Sequence, residues 1–277
     1  MARKTNLSFE TAALTDVGRV RKNNEDCLFT LDGREPNAFG TESYGIYVIA
    51  DGMGGHRAGE VASEMATQIV STTLIDSLRR EGKSRSPSNL VKHAIEKANK
   101  QIFDMAASRP ELYSMGTTIT LGFRLDDALY LGHVGDSRAY LIRKGMIRQL
   151  TEDHSLVAQL LKEGKITPEE AKKHPDRGVI LRCLGTSDSV TVDTLIQNDK
   201  ERRLTLYIGD ILLFCSDGLT SDISDSEIFD CIEEGNNARD TCRKLIDLAN
   251  YKGGGDNISI IILKVCQESS SLETKGS

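Results

Sequence analysis

Tyr47-Val-Ile-Ala-Asp51-Gly-Met-Gly-Gly-His56 is an apolar run that stops at an aspartate set among glycines. A short apolar run bounded by glycine reads as a strand, here Gly45–Ala50. The same punctuation recurs along the chain. Tyr130-Leu-Gly-His-Val leads into Gly135-Asp136-Ser137, and Leu212-Leu-Phe-Cys-Ser leads into Asp217-Gly218. Gly253-Gly-Gly-Asp256-Asn257 opens the strand Ile258–Val265, and Asn23-Asn-Glu-Asp26 precedes another. A lone Asp-Gly is an ordinary turn dipeptide, because glycine supplies φ > 0 and aspartate bonds its own backbone. Asp32-Gly33 and Gly209-Asp210 are read that way. Several aspartates, each at the end of an apolar strand, carry more: antiparallel pairing can gather such ends at one edge of a sheet.

Further strands are expected at Phe9–Leu14, Cys27–Leu31, Thr117–Phe123, Ala128–Val134, Arg138–Arg143, Val190–Ile196, Leu204–Ile208 and Ile211–Cys215. Apolar positions of helical spacing mark Val61–Leu78 and Asn89–Ala106, the second with Ser88 as expected N-cap. Shorter helices are expected at Ser155–Glu163, after Thr167, over Asp225–Glu233 and over Ala238–Asn250. Thr167-Pro-Glu-Glu and Ser224-Asp-Ser-Glu are capping boxes. Strands come in groups and do not alternate regularly with helices. The pattern is α+β, helices packed on antiparallel sheet, and not a doubly wound parallel sheet.

Composition narrows the function. The 277 residues carry 35 Lys and Arg against 41 Asp and Glu, a net charge of −6. That balance argues against a nucleic-acid partner. The basic run Arg79–Ser88 has no aromatics to stack bases and reads as a solvated connection. No apolar run is long enough to span a bilayer, and the amino terminus lacks the apolar stretch of a signal peptide, so a cytoplasmic protein without a membrane partner is expected. The six cysteines form no CxxC pair and read as small hydrophobes in a reducing compartment.

The aspartates then ask for cations. Clustered carboxylates repel unless neutralised. Oxygen ligands without Cys or paired His select Mg²⁺ or Mn²⁺ over zinc. Two such ions about 3.5–4 Å apart activate a water toward phosphoesters. Arg21, in Gly18-Arg-Val-Arg-Lys-Asn-Asn-Glu-Asp26, is a candidate bidentate phosphate clamp.

Taken together and in order, Thr15–Asp26, Ala50–Glu60, Met115-Gly-Thr-Thr118, His133–Arg138, Cys215–Thr220 and Gly255-Asp-Asn257 resemble the metal-dependent Ser/Thr protein phosphatases of the protein phosphatase 2C family, in its compact bacterial form. The resemblance spans residues 8–265, implying a single phosphatase domain, with 266–277 as a tail. It implies a four-layer α-β-β-α sandwich of two antiparallel sheets flanked by helix pairs. It also implies that Asp51 bridges two Mn²⁺ or Mg²⁺ ions, that Gly52 offers a carbonyl to one, and that Asp217 and Asp256 hold the other. Asp26 would act through a water, and Asp136 would bind a third, weaker ion. Arg21 matches the phosphate-binding arginine. His56, or a water on the metal, would protonate the leaving oxygen. The region 152–189 corresponds to a flap beside the site, and the loop Asp32–Ser43 looks longer than in the shortest relatives.

The resemblance implies hydrolysis of phosphoserine and phosphothreonine on proteins, in opposition to a Ser/Thr protein kinase that is itself among the expected partners. A monomer is expected. The alternative is a non-catalytic regulatory module that keeps the fold; the filled set of aspartates speaks against it. His133 and His154 are expected to be structural, and His174 a loop residue.

Overall fold

The protein was analysed as a computed structural model, which describes residues 7–54, 58–79, 86–194 and 203–268. Three strands open the chain: β1 (Leu7–Asp16), β2 (Asp26–Gly33) and β3 (Tyr44–Met53). Two long helices follow, α1 (Ala58–Arg79) and α2 (Pro87–Ser108). Then come β4 (Gly116–Thr117), β5 (Ile119–Leu125), β6 (Ala128–Val134), β7 (Arg138–Arg143) and β8 (Met146–Gln149). Two short helices, α3 (Leu156–Lys162) and α4 (Pro168–Lys172), precede β9 (Asp193–Thr194), β10 (Leu204–Thr205) and β11 (Ile211–Cys215). The chain closes with α5 (Asp217–Thr220), α6 (Asp225–Glu233), α7 (Ala238–Tyr251) and β12 (Ile258–Gln267).

Among the described residues the strands form two antiparallel sheets. One has the order β1-β12-β11-β7-β8 and the other β10-β6-β5-β3-β2, with β4 on β3 and β9 on β6. β1 and β12 pair along their full length, from Leu7 with Gln267 to Asp16 with Ile258, so the two ends of the described chain lie side by side. The four-layer α-β-β-α sandwich is therefore the architecture.

Strand alternation explains the layers. On β3, Ile46, Val48 and Ala50 pack under α1 and α2, while Tyr47 and Ile49 point into the space between the sheets. On β12, Ile258, Ile260 and Ile262 pack under α6 and α7, while Ile261, Leu263 and Val265 face the other sheet. Both faces of each sheet are covered, so the central strands are largely apolar on both faces. Helix α1 meets this with Ala62, Ala66, Val70 and Leu74, the small residues letting it lie close on β3.

Helix ends depart from expectation in one informative place. α2 starts at Pro87 with Ser86 as N-cap, its hydroxyl accepting from Asn89 N–H, and Ser88 is buried in the first turn. Proline is favoured at the first helical position, so the cap falls on the residue before it. Ser155 caps α3, and both expected capping boxes form. The strands expected at Val190–Ile196 and Leu204–Ile208 shrink to Asp193–Thr194 and Leu204–Thr205. Residues 195 and 196, the expected tail from 269 and most of the basic connection lie outside the described residues. Four of the six free cysteines are only half-buried, and Cys215 and Cys242 alone are fully inside.

The end of the sandwich away from Asp51 holds a second correction. Asp32 is no mere turn residue. It lies in β2, receives Arg124 Nη2 at 2.9 Å, Tyr47 Oη at 2.6 Å and Thr11 Oγ1 at 2.7 Å. Arg124 is 1% exposed and stacks on the Phe9 ring, 3.6 Å from its centroid, so this ion pair ties β5 and β2 to β1 of the other sheet. Asp210, 2% exposed, takes Arg143 bidentately at 2.8 and 2.6 Å. Buried charges such as Arg124 and Asp210 would be costly unless paired, and each has its partner.

Arg124→Ala is expected to lower stability by about 2–3 kcal/mol in urea unfolding, below the usual cost of breaking a buried pair because Asp32 keeps some solvent. An unchanged unfolding midpoint would contradict the role given to Arg124.

Candidate metal centre

The antiparallel sandwich delivers the five aspartates to one end. Register sets Asp26 of β2 opposite Asp51 of β3, and Gly52 opposite Thr117 of β4. Asp136 sits in the tight turn from β6 to β7, where Gly135 has φ of +118°. Asp217 follows β11 at the first residue of α5, and Asp256 stands two residues before β12. Asp26, Asp217, Asp136 and Asp256 all act electrostatically on Asp51, so the sequence-expected set is brought together. Arg21 joins it from the loop between β1 and β2, with Nη2 2.6 Å from Asp256 Oδ2. His56 falls outside the described residues.

Gly52 must be glycine. A Cβ there would run into the carbonyl of Gly59 at the start of α1 and lie 2.6 Å from that of Glu25. The close approach lets α1 and the 23–25 segment seat directly against the strand end. Gly52 N–H donates to Glu25 O at 3.1 Å.

The residues between the motif aspartates hold this end together, and sequence reasoning gave them no role. Ser216 Oγ donates to Asp26 Oδ2 at 2.8 Å and accepts from Ser259 N–H at 2.9 Å. Thr118 Oγ1 accepts from Asp51 N–H at 3.0 Å and pairs with Ser137 Oγ at 2.9 Å, linking the Asp51 strand end to the Asp136 turn. Asn257 grips the Arg21 loop: Nδ2 donates to Val17 O and Asn23 O, and Oδ1 accepts from Glu25 N–H. All three lie inside the quoted motifs Cys215–Thr220, Met115–Thr118 and Gly255–Asn257. Their motif membership was the available signal, and their roles emerge only when the two sheets are docked.

The carboxylates pay for this crowding. Burial, then Asp217 and Asp256, push Asp26 up to about 7 against bonds from Ser259 and Ser216. Burial, then Asp217 and Asp153, push Asp136 up to about 7. Burial and the other four aspartates hold Asp51 well above the carboxylate range. Asp217 is raised by burial and by Asp256, with Asp51 beside it and the Arg21 and Arg138 charges drawing it back. The hydrogen bond from Arg21 to Asp256 raises the guanidinium further, so Arg21 stays charged. Although Asp26 and Asp217 are only half-buried as whole residues, their Oδ1 atoms see no solvent.

Those atoms test the fit of a metal. Oδ1 of Asp26, of Asp136 and of Asp217 is buried without a hydrogen-bond partner. Unpartnered buried carboxylate oxygens at one end of a sandwich suit hard divalent cations. Among the described residues no three His, Cys, Asp or Glu side chains form a ready-made cage. Mg²⁺ and Mn²⁺ do not need one; Mg²⁺ in particular binds through one or two carboxylates and keeps several waters.

The neighbouring histidines are structural. His133 and His154 lie ring to ring, centroids 4.9 Å apart. His133 bonds Thr120 Oγ1 and Glu152 O, and burial with His154 beside it lowers it to about 4. His154 Nδ1 accepts from Gly135 N–H at 3.0 Å, and Nε2 meets Asp193 Oδ2 at 3.0 Å. Arg138 locks Asp153 with two Nε contacts at 2.9 Å and an Nη2 bond at 2.6 Å. His174 Nδ1 accepts from Asp176 N–H, a local loop bond. Two short helices stand in the 152–189 region, and its Leu184 bridges to Thr117 beside the centre.

The family model described as Protein phosphatase 2C matches residues 12–160. The serine/threonine phosphatase stp of Listeria welshimeri is 37% identical over 250 residues, covering 90% of this chain and 93% of the relative. The structure of the S. agalactiae serine/threonine phosphatase superposes with a TM-score of 0.81 at 33% identity, covering 93% of this chain and 99% of that one. The catalytic domain of the serine threonine protein phosphatase PstP, solved in complex with 2 manganese ions, gives a TM-score of 0.76 at 32% identity, with coverage of 94% and 99%.

Metal-free protein has a pH signature. A carboxyl raised in the folded state stabilises the fold below its unfolded value near 4, and that contribution is lost as pH rises through its folded value. For Asp136 that loss runs from its unfolded value up to about 7 and is complete above it. With EDTA present, Asp136→Asn is expected to match wild type in Tm near pH 4 and exceed it near pH 8, with Mn²⁺ shrinking the gap. Equal melting curves across that range would contradict the crowding.

Proposed function

The chain belongs to the protein phosphatase 2C family and is a serine/threonine protein phosphatase, and from that premise we propose that it hydrolyses phosphoserine and phosphothreonine on proteins at a binuclear Mn²⁺ or Mg²⁺ centre, reversing the action of a Ser/Thr protein kinase. The observation that carries the metal reading is the set of three buried, unpartnered Oδ1 atoms of Asp26, Asp136 and Asp217. The manganese ions of the PstP structure support the choice of ion.

Asp51, the Gly52 carbonyl, Asp217 and Asp256 would hold two ions, and Asp136 a third. When bound, such ions supply Lewis-acid polarisation of the phosphoryl group and lower the pKa of an attacking water. The chain's own residues do the rest. Asp51 is fixed at a strand end by the Thr118 bond to its N–H. Asp26 has one oxygen held by Ser216 and the other free to accept a proton or a water. Arg21, charged and exposed on one side, can bind two phosphate oxygens and orient the phosphoryl group. The β1–β12 pairing and the covered faces of both sheets support a catalytic unit running over 8–265.

Purified protein with Mn²⁺ is expected to release phosphate from phosphothreonine peptides, and EDTA to stop it. Asp51→Asn should lower the rate by about 10³-fold or more, since a metal supplies several kcal/mol to the transition state. Arg21→Ala should lower kcat/KM by about 10–100-fold, the worth of a charge-assisted hydrogen bond. No phosphate release with Mn²⁺ present would overturn the reading.

A further inference from the structure

Residues 17–23, within the 17–25 connection from β1 to β2, lie at the rim of the carboxylate cluster. Their backbone is fixed. Gly18 N–H donates to Asp16 Oδ1 at 2.8 Å and Arg19 N–H to Gly254 O at 2.8 Å. Asn257 Nδ2 holds the carbonyls of Val17 and Asn23 at 3.0 and 2.9 Å. Gly18 has φ of +80° and packs on the backbone of Asp256, so the loop is tied to the segment that carries a candidate metal ligand.

Its side chains behave differently. Arg19, Val20, Arg21 and Lys22 are all exposed, Val20 at 67%. Arg21 is engaged by Asp256, and Glu25 acts on it too. Arg19 and Lys22 make no ion pair among the described residues. The Arg19 stem lies on the turn at Gly254, three residues beyond Tyr251, the most exposed of the large apolar side chains among the described residues at 87%. A rigid loop therefore presents two uncompensated cations and an apolar side chain next to the phosphate site of a protein whose net charge is −6. A rigid backbone lowers the ordering cost of docking a flexible peptide. Opposite charge at the rim selects among partners and speeds encounter more than it adds affinity.

We propose that the 17–23 loop is a docking surface for the polypeptide that flanks the phosphoresidue, and that Arg19 and Lys22 select substrates with acidic flanking residues. The inference rests on the phosphatase reading above and names the substrate class of that same site. Arg21 binds the phosphate, and Arg19 and Lys22 meet Asp or Glu side chains on either side of it. Val20 supplies apolar contact.

The test compares two phosphothreonine peptides of equal length, one with Asp and Glu flanks and one with Ser and Ala flanks, against p-nitrophenyl phosphate. Wild type with Mn²⁺ at low salt is expected to show a higher kcat/KM for the acidic peptide, and Arg19→Ala/Lys22→Ala to lose that preference, about 2–5-fold per cation. The preference should fade at about 0.5 M salt. Turnover of p-nitrophenyl phosphate should not change in the double variant. Arg19→Glu/Lys22→Glu should favour the neutral peptide. Equal kcat/KM for both peptides in wild type, or an equal fall for both in the variant, would overturn the inference while leaving the phosphatase reading intact. If none of the three substrates is hydrolysed, the phosphatase reading fails. Anisotropy of a fluorescein-labelled acidic peptide then still decides: weaker binding to the double variant than to wild type supports the docking surface, and equal binding overturns it.

Discussion

Like charge at short range is the constraint on which the rest of this structure depends. Asp26, Asp51, Asp136 and Asp217 gather at one end of a β-sandwich close enough to act on one another, with Asp256 at the edge, and burial has removed much of the water that would screen them. Such a cluster cannot stabilise the fold by itself. It persists because the strands that carry it are fixed by interactions elsewhere. Between the sheets, Tyr47, Ile49, Phe214, Ile261 and Leu263 interdigitate, and the two helix layers cover the outer faces. The hydrophobic contacts set the strand ends, and the strand ends set the carboxylates.

The opposite end of the sandwich shows what aspartates do when nothing is asked of them but stability. Asp32 and Asp210 are each matched by an arginine, Arg124 and Arg143, and all four of their carboxylate oxygens accept a hydrogen bond within the fold. In an antiparallel sandwich each strand runs from one end to the other, so β2, β3, β7 and β11 lead from structural ion pairs at one end to the carboxylate cluster at the other. Paired carboxylates mark the structural end, and unpartnered Oδ1 atoms mark the end that suits cations. The contrast within one molecule is stronger than either observation alone.

Much of this was legible in the sequence, and the exceptions have physical causes. The apolar strands, both long helices and the capping boxes follow local rules that need no partner from afar. The convergence of Asp26, Asp51, Asp136, Asp217 and Asp256 was readable because an aspartate at one end of an apolar strand recurs five times in one chain, three times after the strand and twice before it. Asp32 and Asp210 carry the same dipeptide signature but have arginine partners 92 and 67 residues away, a separation that no local pattern encodes. Ser216, Thr118 and Asn257 escaped for a related reason. A hydroxyl or amide inside a motif acquires a role only when β11, β5 and β12 are stacked and aligned, as the bond from Ser216 to Asp26 across 190 residues makes plain.

Net charge is the quantity most easily misread here. A value of −6 averages over the whole surface, whereas a phosphorylated substrate responds to charges within a Debye length of about 8 Å. At the rim of the site those charges include Arg19, Arg21 and Lys22 on a loop whose backbone is anchored by Asn257. Two divalent ions would add four positive charges at its floor. The local field then opposes the global one, and the excess of acidic groups elsewhere disfavours anions that approach anywhere but this mouth. An acidic protein acting on anionic substrates is thus no contradiction. On the proposed reading, part of its acidity would gather cations, and the anchored loop beside it carries the positive charges of Arg19, Arg21 and Lys22.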